Sequence, residues 1–211
     1  DPEAGGFHLP EAKTDVAWID ADTIFVATDF GEGSLTTSGY PRVVKIWRRG
    51  TPLAEAETVL ETDPESIAVG PRRYFGDPPV DIVTESLTYW THRYHQWLDG
   101  ALVPLSLPED AVVADRYRDG LLVQVKSDWT IGEVTYPEGA VVFARLDALR
   151  AGEGGHEVVV APTDTTTIEE VAATRAGVLV RLLDDVRGRL RVHRRGPDGR
   201  WTSERLPLPD T

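Results

Sequence analysis

A strand-rich unit recurs four times along this 211-residue chain, and that recurrence constrains the fold more than any single motif does. Each copy opens with a short apolar strand and a tight turn, then continues into a second, stronger strand. The second strands begin near Ile24, Asp81, Leu121 and Val178, a mean spacing of about 51 residues. A unit of this size cannot bury both of its faces alone and needs a neighbour stacked on each side. The chain is therefore expected to be all-β, a series of four-stranded antiparallel sheets acting as scaffold rather than catalyst.

The units fall at about 15–62, 65–108, 110–162 and 165–208 of a single segment, 1–211. In the first, residues 16–20 read as a strand and 24–30 as a second one, dense in β-branched and aromatic side chains. A Gly/Ser/Thr loop over 31–39 leads to a third strand at 42–48. Gly50-Thr51-Pro52 breaks it, a short helical turn starts at Leu53, and 57–61 returns as the outer strand. The second unit reads as strands at 66–69, 81–88, 92–98 and 101–105, with Asp99-Gly100 as a hairpin signal. In the third, 111–116 turns at Asp119-Gly120 into 121–126. Strands at 140–146 and 157–161 complete it, joined by Gly152-Glu153-Gly154-Gly155. The fourth has strands at 168–174, 178–183, 189–194 and 201–206, the last two joined by Gly196-Pro197-Asp198-Gly199. Thr167-Ile168-Glu169-Glu170 has the form of a helix capping box. It is assigned to a strand because the other three units have one there. The pattern is that of a β-propeller with about four blades present.

Composition excludes several function classes. A net charge of -13 argues against nucleic acid, since phosphate binding needs a cationic surface. With no cysteine the chain has no disulfide, thiol chemistry or thiolate metal site. Asparagine is absent, and with it any N-linked glycosylation acceptor. No apolar run is long enough to span a membrane, and no charged leader precedes an apolar stretch. A cytoplasmic location is expected. Asp1-Pro2-Glu3-Ala4-Gly5-Gly6 reads as a loop from within a longer protein, and methionine is absent throughout. The ratio of 19 arginines to 3 lysines reflects a GC-rich coding sequence.

The stretch Ser38-Gly39-Tyr40-Pro41-Arg42-Val43-Val44-Lys45-Ile46-Trp47-Arg48-Arg49-Gly50-Thr51-Pro52-Leu53 closely resembles the propeller of prolyl oligopeptidase family serine peptidases. Leu9-Pro10-Glu11-Ala12-Lys13 and Thr28-Asp29-Phe30-Gly31 are similar to the same family, in the same order. Leu183-Asp184-Asp185-Val186-Arg187-Gly188-Arg189-Leu190 is similar to a further stretch of that propeller, while the middle two units match in pattern only. The resemblance implies a parent in which a seven-bladed propeller caps an α/β-hydrolase domain bearing a Ser, Asp and His triad. The propeller admits peptides and excludes folded proteins. This chain corresponds to part of that propeller, so the implied partners are the hydrolase domain of the same parent and its peptide substrate.

Local chemistry agrees. A nucleophile elbow needs Gly-x-Ser-x-Gly at a strand-to-helix turn, and the 211 residues contain none. Ser34 and Ser38 lie in a loop between strands, which supplies no oxyanion hole. Gly31-Glu32-Gly33-Ser34-Leu35-Thr36 lacks the third glycine of a phosphate-binding turn and places a glutamate where phosphate would sit. His92 and His95 are three apart, which on a strand points them to opposite faces. Asp20 with Asp22, and Asp184 with Asp185, sit where turns favour aspartate rather than in complete calcium loops. Trp18, Trp47, Trp90, Trp97, Trp129 and Trp201 are expected to pack blade against blade, with one or two free to serve as a sugar or peptide platform. Arg187, Arg189, Arg191, Arg194 and Arg195 form a basic cluster along one hairpin, read as a solvated face or docking surface. No catalytic, cofactor-binding or metal-binding residue is assigned, and no cofactor is expected.

Three functions fit this reading. The first is a non-catalytic propeller segment that gates peptide access to a catalytic domain. The second is an independent four-bladed binding module of the hemopexin type, for a protein or peptide partner. The third, a glycosidase or sialidase propeller, lacks any motif that places paired carboxylates. A partial seven-bladed ring would leave one face of the first unit and one of the fourth uncovered, so self-association through those faces is expected.

Overall fold

The computed structural model describes residues 5–207; the first four residues of the loop-like start read at 1–6, and the last residue of the fourth unit read at 165–208, lie outside them. Strand accounts for 52% and helix for 4% of the described residues, in agreement with the all-β expectation. The chain divides at Leu105 into two compact halves, Asp1–Leu105 and Ser106–Thr211.

The first half holds two four-stranded antiparallel sheets. The first runs β1 (Asp15–Trp18), β2 (Thr23–Ala27), β3 (Val43–Arg48) and β4 (Glu57–Glu61), the second β5 (Ala68–Tyr74), β6 (Val80–Ser86), β7 (His92–Leu98) and β8 (Ala101–Pro104). Both are simple meanders in chain order. Alternation along β2 sends Phe25 and Ala27 to one face, where with Ala17 and Val44 they meet Val69 and Val83 of the second sheet. The two inner strands, β1 and β5, lie side by side. Ile24 and Val26 point the other way and pack with Trp47 and Ala56. The sequence reading left this face uncovered; instead Phe7, Leu9, Phe30 and Leu53 pack over it. Phe7 sets its edge against Trp47 at 4.9 Å and Trp18 at 5.5 Å. A chain segment ahead of the first strand thus does the work of a missing neighbour.

β5 runs to Tyr74, well past the expected end at Val69, and takes Pro71 into the strand. It pairs only with β6 within its sheet, so the missing N–H of Pro71 interrupts no ladder on a second side.

The second half contains sheets β9 (Val112–Tyr117), β10 (Gly120–Gln124), β13 (Val141–Arg145), β14 (Glu157–Val160) and β15 (Thr166–Thr174), β16 (Gly177–Asp184), β17 (Arg187–Arg195), β18 (Trp201–Arg205). Their shared core unites Tyr117, Leu122, Val141, Phe143, Val159, Ile168, Val178, Val180 and Leu182. Asp115 ties the inner strands together, its Oδ2 accepting the Ala173 N–H at 2.7 Å. The 167–170 segment is strand, as assigned; a bulge between Ile168 and Glu170 absorbs its irregular spacing. Two elements here were not read from the sequence. One is the hairpin β11 (Trp129–Ile131) with β12 (Val134–Tyr136), inserted between β10 and β13. The other is the short helix α1 (Leu146–Ala151), which buries Leu146 and Leu149 and ends at Gly152 in the left-handed conformation, φ 68°.

Candidate functional surface

In a four-strand meander the link from the second strand to the third lies at the same end as the link to a following sheet. In the first half that end carries residues 28–42, 62–67 and 87–91. The 28–42 loop is locked to its neighbours. Thr37 N–H donates to Pro64 O at 2.8 Å, and Thr36 Oγ1 donates to Ile67 O at 3.0 Å. Arg42 donates to Thr62 O at 2.8 Å and Gly33 O at 2.7 Å, and pairs with Glu61. Ser34 is buried; its Oγ accepts the Phe30 N–H at 2.8 Å and donates to Gly31 O at 2.6 Å. A serine whose hydroxyl closes a turn is structural. Ser38 is exposed farther along the same loop.

The other residues singled out in the sequence separate into local roles. His92 Nδ1 lies 3.3 Å from Ser86 Oγ, while His95 Nε2 lies 2.8 Å from Glu85 Oε2. The two rings leave β7 on opposite faces, and burial pushes the His92 pKa down. Asp20 Oδ1 accepts the Asp22 N–H at 2.8 Å, which holds the Asp20 carboxyl below its usual range. Asp184 pairs with Arg189 at 2.7 Å.

The basic cluster is largely tied up within the second half, rather than forming a free cationic face. Besides Arg189, Arg191 reaches Ser203 Oγ at 2.7 Å and Arg194 reaches Glu204 at 2.8 Å. Arg195 holds both oxygens of Glu157 at 2.7 and 2.6 Å. Trp201 Nε1 donates to Glu157 as well, at 2.9 Å. Arg195 is therefore the main reason the Glu157 carboxyl sits low.

Four of the six tryptophans are packed, but only Trp97 and Trp201 pack sheet against sheet as expected, while Trp47 and Trp129 pack within their own units. Trp47 is in the core and donates to Thr51 O at 2.8 Å, Trp97 meets Phe25 edge-on, and Trp201 meets Tyr117 and Phe143. Trp129 stacks on His156 at 4.8 Å, with Tyr136 completing an aromatic nest. It also lines an open hollow of about 470 Å³ shared with Ser106, Leu107, Pro108, Asp128, Ile131 and Gly152. Trp18 is 47% exposed. Trp90 is the exception, 79% exposed beside Tyr89, also 79% exposed, at the tip of the 87–91 turn. Tyr89 was not singled out in the sequence; an adjacent aromatic pair between strands with no apolar partner in register is the signal that marks it.

Comparison with known proteins bears on this arrangement. No family model matches the chain. An uncharacterized peptidase of Sinorhizobium fredii is 28% identical over 218 aligned positions, covering 97% of this chain and 30% of the relative. An uncharacterized peptidase of Rickettsia prowazekii is 21% identical, covering 80% of this chain and 25% of the relative. This chain is a relative of peptidases. It spans about a third or less of the length of those relatives. Among solved structures, a post-proline cleaving enzyme from Rickettsia typhi superposes with a TM-score of 0.84 at 20% identity, over 93% of this chain and 30% of that one. Oligopeptidase B from Trypanosoma brucei, solved with covalently bound antipain, gives a TM-score of 0.65 at 21% identity, over 92% of this chain and 27% of that one. The fold is that of the prolyl oligopeptidase propeller, which bears out the resemblance drawn from residues 38–53.

Proposed function

We propose that the chain is a non-catalytic propeller portion of a prolyl oligopeptidase-like peptidase, filtering the peptides that reach an α/β-hydrolase domain supplied outside these 211 residues, in the cytoplasm. One observation supports this above the others: 93% of the chain superposes at a TM-score of 0.84 on under a third of a post-proline cleaving enzyme. The chain's own chemistry is consistent with a passive role, since Ser34 closes a turn and His92 and His95 serve opposite faces of one strand. A filter acts by excluding bulk, so it needs a rigid scaffold and no reactive group.

A chimera tests the proposal. The matching segment of the Sinorhizobium fredii peptidase is replaced by this chain, and hydrolysis of a short proline-containing peptide is compared with that of a folded protein. The chimera is expected to cleave the peptide and spare the folded protein. Equal cleavage of both would overturn the filter. The second reading, an independent binding module, draws its support from the first sheet, whose far face is closed by Phe7 and Leu9 rather than left open.

A further inference from the structure

The hairpin β11–β12 is a two-stranded sheet of its own, and no ladder joins it to the four-stranded sheet into which it is inserted. Its base is fixed by backbone bonds. Gly139 N–H donates to Val125 O at 2.9 Å, Val125 N–H to Ala140 O at 3.0 Å, and Glu138 N–H to Asp128 Oδ1 at 2.8 Å. Beyond the base, side chains seat it. Thr130, Glu133, Val134 and Thr135 are exposed, whereas Trp129 and Tyr136, partners across the hairpin, are buried. Both rings close on His156. Trp129 stacks on the imidazole at 4.8 Å with the planes 28° apart, and the Tyr136 ring lies 5.7 Å away. The Tyr136 hydroxyl donates to His156 O at 3.2 Å. Ile131, half-buried, rests against Gly154. The centre of the seat is therefore an imidazole among aromatic rings, 9% exposed, with neither nitrogen bonded to the chain.

We propose that His156 is an acid-sensitive latch, whose protonation releases the β11–β12 hairpin from its seat while the four-stranded sheet stays folded. Protonation changes what the ring needs. A neutral imidazole packs on an indole as an aromatic ring does, but an imidazolium brings a charge and two N–H donors. Buried without an acceptor, those groups are costly. The attraction of a cation for the Trp129 face offsets only part of that cost, since burial holds the ring below the ordinary histidine value. Neighbouring charges do not relieve it. Tyr136 is the titratable group facing the ring, and burial pushes its phenol up. Glu157, next in the chain, is taken by Arg195 and Trp201. Asp128, Glu133, Glu138 and Glu153 are exposed, and Arg150 of α1 acts on Asp147. Release carries the ring to water and opens the hollow of about 470 Å³ that Trp129 and Ile131 line. The β10–β13 ladder lies beyond the base bonds and needs no change. The latch is independent of the peptide filter.

Amide hydrogen exchange of the full 211-residue chain, read by mass spectrometry and corrected for intrinsic rates, tests the latch. The released ring takes a proton at the ordinary value of 6.5. The population with an open hairpin should therefore rise about tenfold from about pH 7.5 to about pH 5.5. Peptides covering 129–136 are expected to show that rise, and peptides covering β10 to show none. His156→Phe fills the seat without titrating and should remove the rise. Tyr136→Phe should speed hairpin exchange at both pH values and keep the tenfold ratio, which leaves a test in hand if His156→Phe does not fold. Equal protection of the hairpin at both pH values would overturn the latch, as would the same rise in His156→Phe or no pH dependence in Tyr136→Phe. So would an equal rise in β10, which marks global unfolding.

Discussion

Among the described residues, His156 is the buried side chain whose polar atoms the fold leaves least satisfied. It is 9% exposed, neither ring nitrogen has a hydrogen-bond partner, and it stacks on Trp129 in an aromatic nest. Burial pushes its pKa below the ordinary value near 6.5. The same cause lowers His92, and at His193 burial and the Arg191 charge act together. A histidine with a lowered folded pKa resists a proton that the unfolded chain accepts freely. The folded state therefore loses relative stability as pH falls below about 6.5, while nothing is lost above it. Urea unfolding at neutral pH and at about pH 5.5 should show this loss. His156→Phe keeps an aromatic ring and removes the titrating group, so it should hold stability at pH 7 within about 1 kcal/mol and make the acid loss shallower. An unchanged pH slope in that variant would assign the loss to the other two histidines.

At the scale of elements, one carboxylate joins the outer strands of two sheets. Glu157 on β14 accepts two bonds from Arg195 on β17 and one from Trp201 on β18. Both charged partners are about a quarter exposed, so solvent weakens the pair without dissolving it. Glu157→Gln should destabilise the second half by about 1–2 kcal/mol. Because Arg195 holds the folded pKa of Glu157 low, this contribution is present above the unfolded value of about 4.5 and disappears as pH falls through the folded one. Its window lies acid of the histidine window, and unfolding curves across both ranges would separate them. The hairpin β11–β12 makes a second point about elements. Trp129-Thr130-Ile131 and Val134-Thr135-Tyr136 alternate across Gly132-Glu133, a legible hairpin pattern. It was hidden because a four-strand template left no place for it.

For the whole molecule, closure of the first sheet by Phe7 changes what is expected of its far face. Among the described residues the fourth sheet's corresponding surface is less well covered, with Ala172, Leu179 and Leu190 half-buried around a hollow of about 160 Å³. Self-association through sheet faces is therefore expected to use the fourth sheet. Phe7→Ala should cost roughly 2 kcal/mol, reduced from a fully buried phenylalanine because the ring is only partly covered. It should also raise the weight-average mass in light scattering as the first face opens. An unchanged mass and stability would show that Leu9, Phe30 and Leu53 close the face without it. The isolated chain should give only background hydrolysis of a chromogenic proline peptide; turnover with covalent phosphonate labelling of Ser34 or Ser38 would refute a passive propeller. Among the described residues no helix is long and apolar enough to cross a membrane.

The strand order was determined by local chemistry. Expected second strands at Ile24, Asp81, Leu121 and Val178 each begin one residue earlier, at Thr23, Val80, Gly120 and Gly177. Alternation and turn residues act over a few positions, and a meander pairs only neighbours in sequence, so register follows from them. The 38–53 block likewise carried the family likeness without any structure. What lies far apart in sequence was decided only in three dimensions. Phe7 closing over Trp47, Asp115 gripping the Ala173 N–H 58 residues away, and the binding of Glu157 by Arg195 depend on how sheets meet, which no local pattern records. The candidate surface divides the same way. Six tryptophans were legible as such, but burial comes from neighbours contributed by other strands, so only the tertiary structure separates five that pack at least in part from Trp90, which stands in solvent beside Tyr89.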